Sequence, residues 1–253
     1  MILKGRVAVV TGAGSGIARA GAQKLASEGA IVVVADRRAD TAAETVQLIT
    51  AAGGRALPVT TDVTDDGQLA RLVDTAIAKY GRIDILHSHA GAQIEGTLES
   101  VREGGMDDSW RLNVRAHYQL ARLTVPHMRR QGGGSILITS SSSGLIYDAE
   151  MIAYATSKHA VVAMVKQIAK DYGKHKIRCN ALCPGWVDTP FNDPFIKQMG
   201  GRPQLEAYIK TAVPLGRWAS VEEVAETILF LASDRSAYIT GVALAVDGGE
   251  SIG

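Results

Sequence analysis

The chain has few cysteines, few aromatic residues and almost no net charge, and each of these features argues against a class of protein or partner. Only two of its 253 residues are cysteines, and 5% are aromatic. Cys179 and Cys183 stand four positions apart in a predicted strand, beyond the reach of a disulfide in extended chain, so we expect two reduced packing residues. An excess of one charge is also missing, because the formal net charge is +1. Nucleic acid and anionic membranes are therefore not expected as partners.

Long hydrophobic runs are missing as well. No apolar stretch reaches the length of a transmembrane helix, and residues 1–6 lack the apolar core of a signal peptide. We therefore expect a cytoplasmic protein without a membrane partner. With 46% hydrophobic residues the chain can bury one sizeable core, and no shift in composition marks a boundary. The sequence predicts a single domain over residues 1–253.

Short apolar runs alternate with helical patterns along the whole chain. Strands are predicted at residues 7–10, 31–35, 56–59, 83–86, 136–139, 177–182 and 242–246. Helices are predicted after the first strand and at residues 41–51, 67–79, 107–130, 152–172 and 221–231. Such alternation predicts an α/β fold with a doubly wound parallel sheet, the Rossmann fold, whose ligands bind at the carboxyl ends of the strands.

A glycine-rich turn follows the first strand. It contains Gly12, Ser15, Gly16 and Ile17 and leads directly into a helix. Glycine allows backbone N–H groups to approach a pyrophosphate closely at the positive end of the helix. The same pattern also occurs in tight turns without a ligand, so further evidence for a dinucleotide is needed.

Asp36 ends the second strand, about twenty residues beyond the turn, where a dinucleotide-binding unit places an acid for the adenosine ribose. A carboxylate there repels the 2′-phosphate of NADP, and Ser15 is not basic, so the predicted cofactor is NAD. Arg37 and Arg38 weigh against this preference, because an arginine beside the ribose can receive the phosphate.

Further polar residues follow the third and fourth strands. Asp62 and Val63 stand at a strand end, although Asp62 could equally cap the next helix with Thr64. His87 and His89 precede Ala90 and Gly91 at the same edge. A metal site is not expected, because alternate residues of an extended chain point to opposite faces and no acid accompanies them.

Tyr154 and Lys158 stand four apart on a predicted helix, so their side chains project side by side. At about 4 to 5 Å and an effective dielectric of ~20, the ammonium would stabilise a phenolate by about 3 to 4 kcal/mol. That energy would lower the pKa of Tyr154 by about two to three units, into the range of a general base.

The connection near residues 188–214 contains aromatic residues and several prolines and glycines. We expect a mobile lid with helical pieces over a pocket, since long connections are usually functional. The alternative is an irregular helical hairpin that only packs. The aromatic residues of this connection could line a medium-sized pocket together with Ile94, Tyr147, Met151 and Trp186.

Several motifs occur at set places: Thr11-Gly12-x-x-x-Gly16-x-Ala18, Asn113, Ser141 three before Gly144, Tyr154-x-x-x-Lys158, Pro184-Gly185-x-x-x-Thr189, and Ile239-Thr240-Gly241 with Asp247-Gly248-Gly249. Together they resemble the short-chain dehydrogenase/reductase family over essentially the whole chain. The resemblance implies a catalytic tetrad of Asn113, Ser141, Tyr154 and Lys158. It further implies that the nicotinamide end of the cofactor lies against Pro184, Gly185, Val187 and Thr189.

Two positions depart from the family pattern. Ala18 replaces the third glycine of the turn, a change that the related dinucleotide fingerprint admits. His89 replaces an asparagine of the family's Asn-Asn-Ala-Gly, which would contact the cofactor ribose. A neutral imidazole still offers one donor and one acceptor there. With an ordinary pKa near 6.5, its protonation would disfavour NAD relative to NADH as pH falls through about 6 to 7.

The activity that the resemblance implies is hydride transfer between NAD(H) and a secondary alcohol or ketone. Tyr154 would take the alcohol proton, Ser141 would orient the hydroxyl, Lys158 would hold the ribose, and Asn113 would position a water. The alternatives are an NADPH-dependent reductase of 3-ketoacyl thioesters and a non-catalytic NAD-responsive binding protein. The partner expected is a small-molecule alcohol or ketone, and the family implies a homotetramer. Nothing in the sequence selects the individual substrate.

Overall fold

The computed structural model describes residues 1–252, and its centre is one parallel sheet. The strands are β1 Val7–Thr11, β2 Ile31–Asp36, β3 Arg55–Thr60, β4 Ile85–Ser88, β5 Gly134–Thr139, β6 Ile177–Pro184 and β7 Ala243–Val246. Their order is β3-β2-β1-β4-β5-β6-β7, and every neighbouring pair is parallel. The predicted doubly wound sheet is confirmed. The chain order reverses between β1 and β4, where such sheets bind their ligands.

Helices cover both faces of the sheet. They are α1 Gly16–Ser27, α2 Ala39–Ala51, α3 Asp66–Tyr80, α4 Gly105–Trp110, α5 Ala116–Arg130, α6 Ile152–Tyr172, α7 Asp193–Gln198, α8 Arg202–Ala212 and α9 Val221–Ala232. One face packs against α3, α5 and α6, and the other against α1, α2 and α9. The strands are continuous apolar runs because alternate side chains enter two separate cores. In β1, Val9 enters one core, and Ala8 and Val10 enter the other.

The fourth strand differs from the prediction by two residues. It was expected at residues 83–86 but spans Ile85–Ser88. Residues before it are held by polar contacts, because the carboxylate of Asp84 accepts hydrogen bonds from Val7 N, at 2.9 Å, and from Arg82 Nε, at 2.8 Å. His87 and Ser88 are therefore buried residues of the strand. Because their side chains are polar, the sequence pattern placed them in the loop that follows it.

The predicted helix at residues 107–130 consists of three segments. A π-helical turn, Arg111–Arg115, lies between α4 and α5. In the connection at 188–214, a short 3₁₀ turn, Pro190–Asn192, precedes α7 and α8, so helical pieces are present as expected. Cys179 and Cys183 are free and buried in β6, as predicted. Within residues 1–252, no helix is both long and apolar enough to cross a bilayer.

Candidate active site

A cavity of about 1480 Å³ opens at the carboxyl edge of the sheet. Its wall contains every predicted cofactor contact, namely Gly12, Ser15, Gly16, Ile17, Asp36, Arg37, Asp62, Val63, His89, Ala90, Gly91, Tyr154, Lys158, Pro184, Gly185, Val187 and Thr189. Ser141 lies in the same wall. Asn113 is fully buried and lies outside the residues that form the wall. The structure thus brings residues from most of the chain length to one opening.

The glycine turn forms a cradle that side chains would fill. Gly12 has φ +68°, and a Cβ on it would lie 3.1 Å from the Cα of Ala90. A Cβ on Gly14 would lie 2.7 Å from Asp36 Oδ2. Ser15 is the N-cap of α1, and its side chain accepts no bond from the first turn of that helix. The N–H groups of Ala13 and Gly14 are bonded to Ala35 and Asp36, but those of the first turn of α1 have no side-chain cap and are available to an anion, as a pyrophosphate requires.

The carboxylate of Asp36 is fixed by the backbone around it. Oδ2 accepts a hydrogen bond from Gly14 N, at 2.9 Å, and Oδ1 accepts one from Arg38 N, at 3.0 Å. The two neighbouring arginines differ. Arg38 is paired with Asp40, at 2.9 Å, whereas Arg37 is exposed and forms no side-chain hydrogen bond or ion pair within the described chain. Arg37 is thus the guanidinium free to meet a phosphate beside Asp36.

Asp62 lies at the cavity and bonds locally. Its Oδ1 accepts hydrogen bonds from the backbone N and the hydroxyl of Thr64, at 2.9 and 2.7 Å. It does not cap α3, because the N-cap of that helix is Asp65, whose side chain accepts a bond from Gln68 N. The helix-cap alternative for Asp62 is therefore wrong, and the cavity position stands.

Lys158 is buried between the sheet and the loop after β4. Its Nζ donates to the carbonyl of Thr139, at 3.1 Å, and the residue is 3% exposed. Burial lowers its pKa to about 8, because a cation loses hydration there. A Cβ on Gly91 would lie 2.9 Å from Asn113 Oδ1 and 3.4 Å from Lys158 Nζ. A side chain at position 91 would therefore displace the amide of Asn113 and contact Lys158.

Asn113 holds the loop that follows Gly91. Its amide accepts from Ala92 N, at 3.0 Å, and donates to the Ala92 carbonyl, at 2.9 Å. The same nitrogen lies 3.1 Å from the hydroxyls of Ser109 and Ser157. Asn113 is in the π-helical turn, a feature frequent at functional sites. Its contacts join the loop to α6, the helix that carries Tyr154 and Lys158.

The pKa of Tyr154 differs from the sequence prediction. Burial raises it to about 12, a hydrogen bond with Ser141 lowers it by less, and the charge of Asp148 raises it further. The Nζ of Lys158 lies 5.5 Å from the centre of the tyrosine ring and bonds a carbonyl instead. The expected depression by Lys158 was wrong because spacing along a helix reports proximity and not desolvation. Tyr154 keeps its proton at neutral pH in this structure.

Ser141 is the serine that reaches Tyr154. It follows β5 and caps the 3₁₀ turn Ser142–Gly144, where its hydroxyl accepts from Ser143 N at 3.2 Å. Ser140 points away, since its hydroxyl donates to the carbonyl of Lys158 at 2.8 Å. Four consecutive serines therefore have different partners, and the choice of Ser141 agrees with the geometry.

His89 lies in the cavity wall but does not titrate where predicted. Its Nδ1 is hydrogen-bonded to the Thr139 hydroxyl at 3.0 Å, and His87 Nε2 contacts the same hydroxyl at 3.0 Å. Burial holds the pKa of His89 well below 6.5, and positive charge on His87 and Lys158 lowers it further. The proposed change in the NAD to NADH ratio through pH 6 to 7 is therefore wrong. One hydroxyl carries one proton, so it donates to one histidine and accepts from the other.

The substrate end of the cavity contains aromatic residues of the connection at 188–214. Phe191, Phe195 and Tyr208 line it with Ile94, Met151 and Trp186, as predicted. Tyr147 does not, because its side chain is 85% exposed and stacks on His159 with ring centres 4.7 Å apart. A Cβ on Gly16 would lie 3.4 Å from Thr189 Cγ2, so this connection begins against the glycine turn.

Several polar residues of the wall were missed from the sequence, and three of them lie near the proposed substrate end. They are Gln93, Asp148 and Glu250. Gln93 follows the predicted histidine loop by two residues, and that closeness was a usable signal. Glu250 lies 64 positions from its partner Trp186, whose indole Nε1 donates to Glu250 Oε1 at 2.7 Å. No local pattern reports such a contact.

Comparisons with known proteins agree with this geometry. A family model described as Enoyl-(Acyl carrier protein) reductase matches residues 12–251. The chain is 35% identical to the 3-oxoacyl-[acyl-carrier-protein] reductase FabG of Thermotoga maritima, over 98% of this chain and 99% of that protein.

Solved structures agree as well. Levodione reductase has a TM-score of 0.95 and 30% identity, covering 99% of each chain. A 7α-hydroxysteroid dehydrogenase complexed with NADH and 7-oxo glycochenodeoxycholic acid has a TM-score of 0.91 and 34% identity, covering 98% of this chain and 94% of that one. With these matches over nearly its whole length, the chain belongs to the short-chain dehydrogenase/reductase family of oxidoreductases.

Proposed function

We propose that this protein is an NAD-dependent oxidoreductase that interconverts a secondary alcohol and a ketone. The observation that carries the proposal is the meeting of Tyr154, Ser141 and Lys158 with the glycine cradle in one cavity. Bound NAD would supply the hydride acceptor, held by the glycine turn, Asp36 and the segment from Pro184 to Thr189. The protein's own residues supply orientation and proton transfer.

The proton is handled by Tyr154. Because burial keeps this phenol protonated at neutral pH, it can donate to the oxygen of a ketone, and the Ser141 hydroxyl, which lowers the pKa of Tyr154, stands beside it. In the oxidation direction the same oxygen must first lose its proton, and nearby positive charge lowers the cost of that loss. Lys158 is a cation below its pKa of about 8, but in the described structure it donates to the Thr139 carbonyl and does not lower the pKa of Tyr154, so this charge would have to come from the bound cofactor. Asn113 acts by bracing the loop at Ala92 against α6.

The preference for NAD rests on the charge of Asp36. Its carboxylate is fixed beside the glycine turn by two backbone donors. A 2′-phosphate would therefore be repelled by a negative charge that cannot rotate out of its position. The rival proposal is an NADPH-dependent thioester reductase, which the FabG relative favours. Initial rates with both cofactors separate the two.

The test is a panel of secondary alcohols with NAD, followed by the absorbance of NADH, and the reverse reaction with the matching ketones. We expect turnover with NAD and its loss in Tyr154→Phe. Tight NADH binding without turnover on any compound would favour the non-catalytic binding protein. We further propose a homotetramer through the faces of α4, α5 and α6, which light scattering after size-exclusion chromatography measures.

A further inference from the structure

Polar atoms without partners lie in the wall of the substrate end. Both amide atoms of Gln93 and the Oε2 atom of Glu250 are buried and have no hydrogen-bond partner in residues 1–252. The hydride-transfer chemistry proposed above uses neither residue. A buried acceptor that lacks a donor is costly, so a ligand that supplies a donor would be stabilised at this end of the wall.

The orientation of Glu250 is fixed before any ligand arrives. Its Oε1 accepts a bond from the indole of Trp186, at 2.7 Å. Trp186 in turn packs edge-on against Phe195, with ring centres 5.0 Å apart. The turn that carries Glu250 is held by Asp247, whose carboxylate accepts bonds from Gly249 N and Ser251 N, each at 3.0 Å. Only Oε2 is left to face a ligand.

Glu250 stands close to the reacting groups. A Cβ on Gly185 would lie 2.9 Å from Glu250 Oε2. Burial raises the pKa of Glu250, while the bond from Trp186 and the nearby hydroxyl of Ser142 lower it. Ser142 is next in sequence to Ser141, the proposed partner of Tyr154. Because Gly185 belongs to the segment proposed to hold the nicotinamide end of the cofactor, the free carboxylate oxygen lies beside the proposed site of hydride transfer.

The charge of this end is negative. Asp148 lies in the same wall, and its carboxylate accepts a bond from Ser143 Oγ at 2.5 Å. The charge of Asp148 raises the pKa of both Tyr154 and Glu250. The positive groups of the described wall are paired or lie at the other end of the cavity: Lys158 donates to the Thr139 carbonyl, Arg38 is paired with Asp40, and the unpaired Arg37 follows Asp36 at the glycine turn. Arg102 and Arg111 are paired with Asp108, which leaves no free cation beside Glu250 to neutralise an anionic ligand.

We infer that Glu250 is a specificity-determining residue that accepts a hydrogen bond from a second hydroxyl of the substrate. The substrate class is then a neutral diol or hydroxyketone, and alcohols that carry a carboxylate are rejected. This inference rests on the proposed function, because it concerns the substrate of the same site. The free oxygen of Glu250 attracts a hydroxyl donor of the substrate, and the negative charges of Glu250 and Asp148 repel a substrate carboxylate.

The test measures ligand binding and turnover separately. Binding to the NADH-loaded protein is measured by calorimetry with cyclohexanol, cyclohexane-1,3-diol and 3-hydroxycyclohexanecarboxylate, none of which NADH can reduce. The variants are Glu250→Ala, Glu250→Gln and Glu99→Gln, the last removing an exposed carboxylate outside the cavity wall. The value of kcat/KM with NAD is then measured for the same compounds.

We expect wild type to bind the diol about ten-fold or more tightly than cyclohexanol, because only the diol satisfies the buried acceptor. Glu250→Ala should remove that preference. Glu250→Gln should keep part of it, since an amide oxygen still accepts, and should improve binding of the carboxylate about ten-fold or more. Glu99→Gln should match wild type for all three ligands.

Three outcomes would overturn the inference. The first is that wild type binds the carboxylate as tightly as the diol. The second is that the preference for the diol survives in Glu250→Ala. The third is that Glu250→Ala loses affinity for NADH and weakens the binding of all three ligands by the same factor. The last result would assign Glu250 to the cofactor. A Glu250-dependent diol preference without hydride transfer on any compound would support the inference and contradict the proposed function, so the two fail separately.

Discussion

Removal of the charge at Asp36 should convert a strong preference for NAD into a weak one. Asp36→Asn keeps the size of the side chain and one acceptor for Gly14 N, which now holds the carboxylate at 2.9 Å. It removes the anion that a 2′-phosphate would meet. Arg37, which has no partner in the described chain, remains beside it. The repulsion is lost and a cation stays.

The magnitude follows from Coulomb's law. A phosphate monoester carries about 1.5 to 2 negative charges at neutral pH. At ~5 to 6 Å from the carboxylate, with an effective dielectric of ~40 at this half-exposed position, the repulsion is about 2 to 3 kcal/mol. The ratio of kcat/KM for NAD over NADP should therefore fall by about 30-fold to 150-fold, since 1.4 kcal/mol is a factor of ten.

The assay uses one alcohol and both cofactors at constant ionic strength, because salt screens exposed charges. Dissociation constants of the reduced cofactors, from quenching of tryptophan fluorescence, give a second measure that does not depend on turnover. Asp74→Asn removes an exposed carboxylate on α3 and serves as the control. Adding Arg37→Ala to Asp36→Asn should reverse most of the gain in NADP affinity. A ratio that changes less than three-fold in Asp36→Asn, or equally in the control, would refute the electrostatic account.

The remaining predictions concern the buried pair and its surroundings. Tyr154→Phe should abolish turnover and leave the Kd of NADH within a few-fold of wild type, because the ring still packs; a tenth of wild-type kcat would mean another base. The pKa of Lys158 is about 8 in the folded protein and 10.5 unfolded, so the unfolded state binds more protons between these values. Over that window the free energy of unfolding of wild type minus that of Lys158→Met should rise by about 1.4 kcal/mol per pH unit, measured by urea titration; a flat difference would contradict the lowered pKa. Gly91→Ala should reduce both turnover and NADH affinity, because its methyl would enter the space 2.9 Å from Asn113 Oδ1, and unchanged kinetics would show that the loop gives way. His89→Asn should leave the pH dependence of the NAD to NADH ratio unchanged above pH 6, as calorimetry can test, since burial already keeps this histidine neutral.

Much of the fold was predictable because each strand is marked by a pattern within a few consecutive residues. Each strand of a parallel sheet covered on both faces is a continuous apolar run, so Val7–Thr11 and Ile31–Asp36 are visible in the sequence itself. The helix Ile152–Tyr172 matched its predicted limits. The topology then placed the ends of these elements at one edge. Gly14 and Asp36 meet there, with Gly14 N 2.9 Å from Asp36 Oδ2, although neither residue's neighbours in sequence specify the other.

What the sequence could not supply depends on desolvation and on distant partners. His87 is polar yet fully buried, because a threonine on the adjacent strand, Thr139, satisfies its Nε2. Spacing indicated that Tyr154 and Lys158 are neighbours but carried no information about how much water remains around them. Glu250 was missed because its partner lies in another part of the chain.

The burial of Tyr154 and Lys158 bears on whether the proposed reaction is easier as reduction of a ketone or as oxidation of an alcohol. At pH 7, below the pKa of about 8, Lys158 is mostly a cation that donates to the Thr139 carbonyl, while Tyr154, with a pKa of about 12, is a neutral donor. Reduction of a ketone needs a proton donor and can begin from this state. Oxidation of an alcohol needs the phenolate, which the negative charge of Asp148 opposes. The same charge favours a neutral substrate, so Asp148 links the preference for proton donation to the exclusion of anionic ligands. If the proposed function is correct, we therefore expect the reduction of neutral ketones to need the least change in the protonation of Tyr154 and Lys158.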